Sequence, residues 1–85
     1  MRQIQTPTIS QNRKHPWSFI PGGASILATK KNGKEVLYDR IKNVEAYLAK
    51  CFKRKGITSA WVMDGNGNNY QVFENQIEPK LLKAA

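Results

Sequence analysis

The chain has 85 residues, enough for one small domain, with 14 Lys and Arg against 6 Asp and Glu for a formal net charge of +8. A chain of this length buries roughly 60–65% of its unfolded surface, so it folds with little margin, while the cationic excess keeps it soluble and favours polyanionic partners. No apolar run approaches the roughly 20 residues that span a bilayer, and a single cysteine, Cys51, excludes an intramolecular disulfide framework and fits a reducing, cytoplasmic setting.

The charge is uneven. Arg2, Arg13, Lys14, Lys30, Lys31 and Lys34 all precede the first acid, Glu35, whereas cations and acids nearly balance beyond it. An anionic partner for the N-terminal part is the expectation that follows. Residues 1–23 read as an extended basic arm, punctuated by Pro7, Pro16 and Pro21 and closed by Gly22-Gly23. Proline fixes its own φ and biases the preceding residue towards extended geometry, so helix is disfavoured here. Within the arm, Trp17, Phe19 and Ile20 make an apolar knot. It either docks on the domain's own core or anchors on a partner, where exposed aromatics are favoured contacts. If the arm stands apart, the packed unit is near 60 residues and a protein partner or homo-oligomer contact would support it.

Residues 24–85 form the domain. Residues 24–39 read as a β-hairpin about Asn32-Gly33, because a two-residue type I′ turn needs positive φ at both positions. That turn sets Lys30 opposite Glu35, Thr29 opposite Val36, Ala28 opposite Leu37 and Leu27 opposite Tyr38. One face then carries Leu27, Thr29, Val36 and Tyr38, and the other Ile26, Ala28 and Leu37. Both faces are partly apolar, so one packs on a helix and the other is left for the arm or a partner.

A helix is expected over residues 40–55, with Asp39 as its N-cap. Ile41, Val44, Leu48, Cys51 and Phe52 recur at three- and four-residue steps as one buried stripe. Lys53, Arg54 and Lys55 sit at the negative end of the helix dipole, and Gly56 suits the left-handed position beyond it. A strand follows at 57–63, a Gly/Asn turn at 64–69, a strand at 70–74, and a last helical turn at 80–84 opened by Glu78-Pro79. The order ββαββ(α) with short hairpin links predicts an α+β domain, an antiparallel sheet with one helix packed on it.

Catalytic and metal chemistry find little support. The run Asp64-Gly65-Asn66-Gly67-Asn68 resembles the start of a calcium loop but lacks glycine at the sixth position and a glutamate at the twelfth, so a plain hairpin loop is expected. His15 has no ligand-spaced neighbours, and Cys51 falls on the buried stripe as a structural thiol. The acids are scattered and the glycines form no phosphate loop, so neither an enzyme nor a cofactor is expected.

The basic residues carry the functional expectation. At roughly 100° per residue, Lys42, Lys50, Lys53 and Arg54 share one arc outside the apolar arc, with only Ala46 among them. Such a strip meets successive phosphates without reading sequence. Arg13 and Lys14, followed by His15, Pro16 and Trp17, offer a cationic arm ending in an aromatic. Trp61 and Tyr70 flank the second hairpin, as core packing or as a stacking platform. Two functions follow: a nucleic-acid-binding protein using the strip and arm, and a structural or interaction protein docking on a protein partner through Trp17 and Phe19. A subunit inside a ribonucleoprotein or viral particle satisfies both.

Overall fold

A computed structural model of the protein describes residues 15–85. The strands β1 (Ala24–Lys30), β2 (Glu35–Ile41), β3 (Ile57–Met63) and β4 (Asn69–Phe73) form one antiparallel sheet in the order β2-β1-β3-β4. Helix α1 (Val44–Arg54) crosses from β2 to β3, and a 3₁₀ turn (Glu74–Gln76) leads to the short α2 (Pro79–Ala84). The expected α+β architecture and the element order are both observed. No helix among the described residues is long and apolar enough to cross a membrane.

One face of the sheet is apolar through the alternation of its central residues. Cross-strand neighbours Ile26 and Val62, and Ala28, Ala60 and Val72, point to one side and are fully buried there against Val44, Leu48, Cys51 and Phe52 of α1. Small alanines on β1 and β3 let the helix approach closely, while Leu81 and Leu82 of α2 pack on the margin of the same core. Pro79 opens α2 at its first turn, where a missing N–H leaves no bond unmade. Cys51 is buried, as the helical stripe required.

The first hairpin turns differently from expectation. The pairs are Thr29 with Glu35, Ala28 with Val36, Leu27 with Leu37 and Ile26 with Tyr38, a shift of one residue. The loop has three residues rather than two. Gly33 N–H donates to the Lys30 carbonyl at 2.9 Å, Lys30 N–H to the Lys34 carbonyl at 2.8 Å, and Gly33 alone takes positive φ, at 89°. This is a type I turn with a glycine bulge. Asn32 keeps negative φ and uses its side-chain oxygen to accept the Lys34 N–H at 3.0 Å. A one-residue slip flips β2 relative to β1, so Val36 and Tyr38 join Ile26 and Ala28 on the core side, and Glu35 does not face Lys30.

The outward face of the sheet is uncovered by any described element. It carries Leu37 at 63% exposure, Trp61 at 41% and Phe73 at 45%, with Leu27, Thr29 and Ser59 between them by register. Trp61 therefore lies away from the core, against the core-packing expectation for it, and Tyr70, opposite Val62, lies on the helix side.

Residues 15–23, at the end of the expected arm, lie against the domain. Trp17 is 3% exposed within the core and stacks on His15 with ring centroids 4.7 Å apart. Ile20 N–H donates to the Lys42 carbonyl at 2.9 Å, and Glu45 N–H to the Ser18 carbonyl at 3.0 Å. Arg13 and Lys14 lie outside the described residues.

Candidate functional site

The helix begins later than the 3.6-residue period suggests. Strand β2 runs on to Ile41, which pairs with Ala24, and α1 starts at Val44. Asp39 is therefore a strand residue and not an N-cap. Its Oδ1 accepts the Ser25 hydroxyl at 2.8 Å and the Arg40 N–H at 2.9 Å. Those two bonds favour the ionised form and hold the Asp39 carboxyl below the usual carboxylate range. The N-cap position falls to Asn43, which makes no side-chain cap bond. Tertiary structure supplies the cap instead, through the Ser18 carbonyl.

Between Ser25 and Asp39 the ladder shifts register, giving β2 one residue more than β1. Arg40 takes up the excess at φ 58°, the one described non-glycine residue at positive φ. A Cβ on Gly23 would sit a tight 3.3 Å from the Arg40 Cα, and Gly23 itself takes φ 89°, so glycine suits the backbone that faces the bulge. Bulges of this kind re-aim a side chain at the end of a strand. Here the strand end opens onto a concavity of about 470 Å³, lined by Arg40, Ile41, Lys42, Asn43, Ala46, Tyr47 and Lys50. Tyr47 forms one wall and meets the Tyr38 ring edge-on at 5.1 Å.

Three cations thus border one open groove, and two of them, Lys42 and Lys50, were expected to share a surface. Lys42 does so from the segment preceding α1 and not from the helix itself. Lys53 and Arg54 follow Lys50 by three and four positions, so they share its side of α1, and all four are exposed. No ion pair ties any of them to a carboxylate among the described residues. Arg40 is the member that the sequence reading missed. Its backbone strain depends on a bulge, and no local residue pattern announces that bulge.

The buried arc of α1 is wider than the stripe of larger apolar residues, because Ala49 and the charged Glu45 are also buried. Glu45 Oε2 accepts the Glu78 N–H at 2.8 Å, tying α1 to the start of α2. Near the other end of the helix, burial pushes the Cys51 thiol up, with Lys55 opposing and a hydrogen bond from Tyr38 also lowering it. A reactive thiolate needs the opposite shift. In the second hairpin Asp64 serves its own loop, accepting Asn66 N–H at 2.7 Å, Asn68 N–H at 3.1 Å and Asn68 Nδ2 at 2.8 Å. Among the described residues no three His, Cys, Asp or Glu side chains gather as a metal-binding group.

Of the residues expected to anchor a protein partner, Trp17 is enclosed by the domain and Phe19 is exposed. No protein-family model matches this chain, and neither curated proteins nor solved structures give a match.

Proposed function

We propose that the protein is a small non-enzymatic binding protein that contacts the phosphate backbone of nucleic acid with little sequence specificity. The observation that carries this reading is the groove where Arg40, Lys42 and Lys50 border one open concavity and Lys53 and Arg54 extend the line along α1. Exposed guanidinium and ammonium groups exchange counterions for phosphates, and that exchange drives sequence-independent binding. Tyr47 on the groove wall adds an aromatic surface beside the charge. Arg13 and Lys14 contribute further phosphate contacts from the N-terminal side. A cytoplasmic or ribonucleoprotein-particle setting suits the single buried thiol.

The test is binding to a labelled duplex and a single strand across a salt series. Log affinity should fall linearly with log salt, by about 0.9 for each duplex phosphate neutralised. Charge reversal at Lys50, Lys53 and Arg54 should weaken binding to all sequences alike. Affinity that ignores salt would sink the proposal.

One observation favours a second reading, a structural or interaction protein that docks on a protein partner or on its own copy. Leu37, Trp61 and Phe73 stand exposed together on the outward sheet face, and contiguous exposed apolar surface of this kind marks contact sites. Here the discriminating result is a stoichiometric protein partner co-purifying without nucleic acid, and L37D/W61D should abolish that association.

A further inference from the structure

The tip of the first hairpin and the end of α1 are distant in sequence but meet at one end of the molecule. Lys31 N–H donates to the Gly56 carbonyl at 3.1 Å, and Lys30 pairs with Ile57 in the β1–β3 ladder. This junction sets Lys31 beside the segment that carries Lys53, Arg54 and Lys55, with Lys34 at the far side of the same turn, and all five side chains are exposed. The tip is held in one shape by the Lys30–Lys34 and Gly33–Lys30 backbone bonds and by the Asn32 side chain. Lys55 rests with its ammonium 5.6 Å from the centre of the Tyr38 ring. No ion pair joins Lys31, Lys34, Lys53 or Arg54 to a carboxylate among the described residues.

Local structure accounts for part of this charge. The C-terminus of α1 carries a partial negative charge that Lys53 and Arg54 offset. Lys31 and Lys34 have no such role. They add cations to an end that is already cationic, and self-repulsion there opposes folding. The turn itself needs glycine at position 33 and a polar side chain at 32, and neither requirement calls for lysine on either side. Departures from local stability of this sort concentrate at functional surfaces.

We infer that the two lysine-bearing turns form a single anion-binding end that grips phosphates of a nucleic-acid backbone, continuing the track that starts at Arg40 and Lys42. The inference rests on the nucleic-acid reading and adds a second contact region to it. The groove lies at the N-terminal end of α1 and the two turns at its C-terminal end. The 11 residues of α1 separate them by about 16 Å at ~1.5 Å per residue. A duplex carries one charge per ~1.7 Å of axis, so a backbone laid along the helix meets both regions at once.

The test uses the full chain and a labelled 20-base-pair duplex, comparing wild type with K31E/K34E over a salt series. The variant's slope of log affinity against log salt should be shallower by about 1.8, two phosphates at ~0.9 each, and its Tm should equal or exceed the wild-type value as repulsion is relieved. K31Q/K34Q removes charge without adding any, should shift the slope in the same direction, and guards against a folding defect in the reversal variant. Combining K31E/K34E with K53E/R54E should cost less than the product of the two separate losses, by more than about twofold, because groups that share one ligand are not additive. A steep wild-type slope left unchanged by K31E/K34E and K31Q/K34Q overturns the two-turn site alone, as do losses that simply multiply. A wild type that binds no duplex, or binds it without salt dependence, removes the nucleic-acid reading and this inference together.

Discussion

At φ 58° Arg40 holds a conformation that costs an L-residue about 1–2 kcal/mol. The surroundings sustain it: Asp39 accepts both the Ser25 hydroxyl and the Arg40 N–H, and Gly23 leaves room for the bulge. Strain kept at the mouth of a cationic groove points to a use for the side chain placed there. R40G and R40A separate the two contributions. R40G removes charge and strain together, so it should raise unfolding stability by up to about 1 kcal/mol, after allowing for glycine's larger entropy loss, while weakening nucleic-acid binding. R40A keeps the strain and should weaken binding equally with no gain in stability. Urea melts and salt-dependent titrations on both variants decide it, and R40A binding as tightly as wild type would remove Arg40 from the interface.

At the scale of elements, α1 owes its start to chain outside the helix. A helix leaves its first N–H groups without partners, and here the Ser18 carbonyl takes one of them while the Asn43 side chain takes none. Trp17 locks that capping segment by burying its indole beside the helix start. N43A should therefore change stability by less than about 0.5 kcal/mol, against about 1 kcal/mol for a working side-chain cap. W17A should cost about 3–5 kcal/mol, the usual loss for a buried aromatic. Chemical denaturation of both variants checks the pair, and a W17A loss below that of N43A would mean the segment is not part of the fold's support.

For the whole molecule, pH reports how the elements are joined. Hydrogen bonds hold Asp39 and Asp64 below the usual carboxylate range, from Ser25 and Arg40 in one case and from Asn68 and Asn66 in the other. Their contribution is complete above the unfolded value of about 3.9 and is lost as pH falls through the depressed folded values. Burial raises Cys51, Tyr38 and Tyr47. Their neutral forms suit the fold, so stability is complete below the unfolded thiol value of about 8.5 and is lost as pH rises through the raised ones. Thermal melts should show a plateau between about pH 5 and 8 with a fall on each side. D64N should flatten the acid limb and C51A the alkaline one, and limbs unchanged by both would contradict these assignments.

The β-branched and aromatic residues of 57–63, the stepped apolar residues of 44–52 and the Pro79 helix start were legible without coordinates, because each is a local period or a local residue preference. They determined the α+β class, the element order, the core position of Cys51 and the cationic outer side of α1. The hairpin register was not legible, since Asn32-Gly33 serves a two-residue turn or the second half of a three-residue one, and only packing of Val36 and Tyr38 on the core chooses between them. Glu45 shows the same limit: a carboxylate reads as solvent-facing until α2 brings the Glu78 N–H to it. The sequence by itself determined how much positive charge the protein carries and which helix side bears part of it. The tertiary structure alone decided that Arg40 turns at a bulge into the groove and that Lys31 meets Gly56. Both depend on backbone bonds between segments that no local pattern connects.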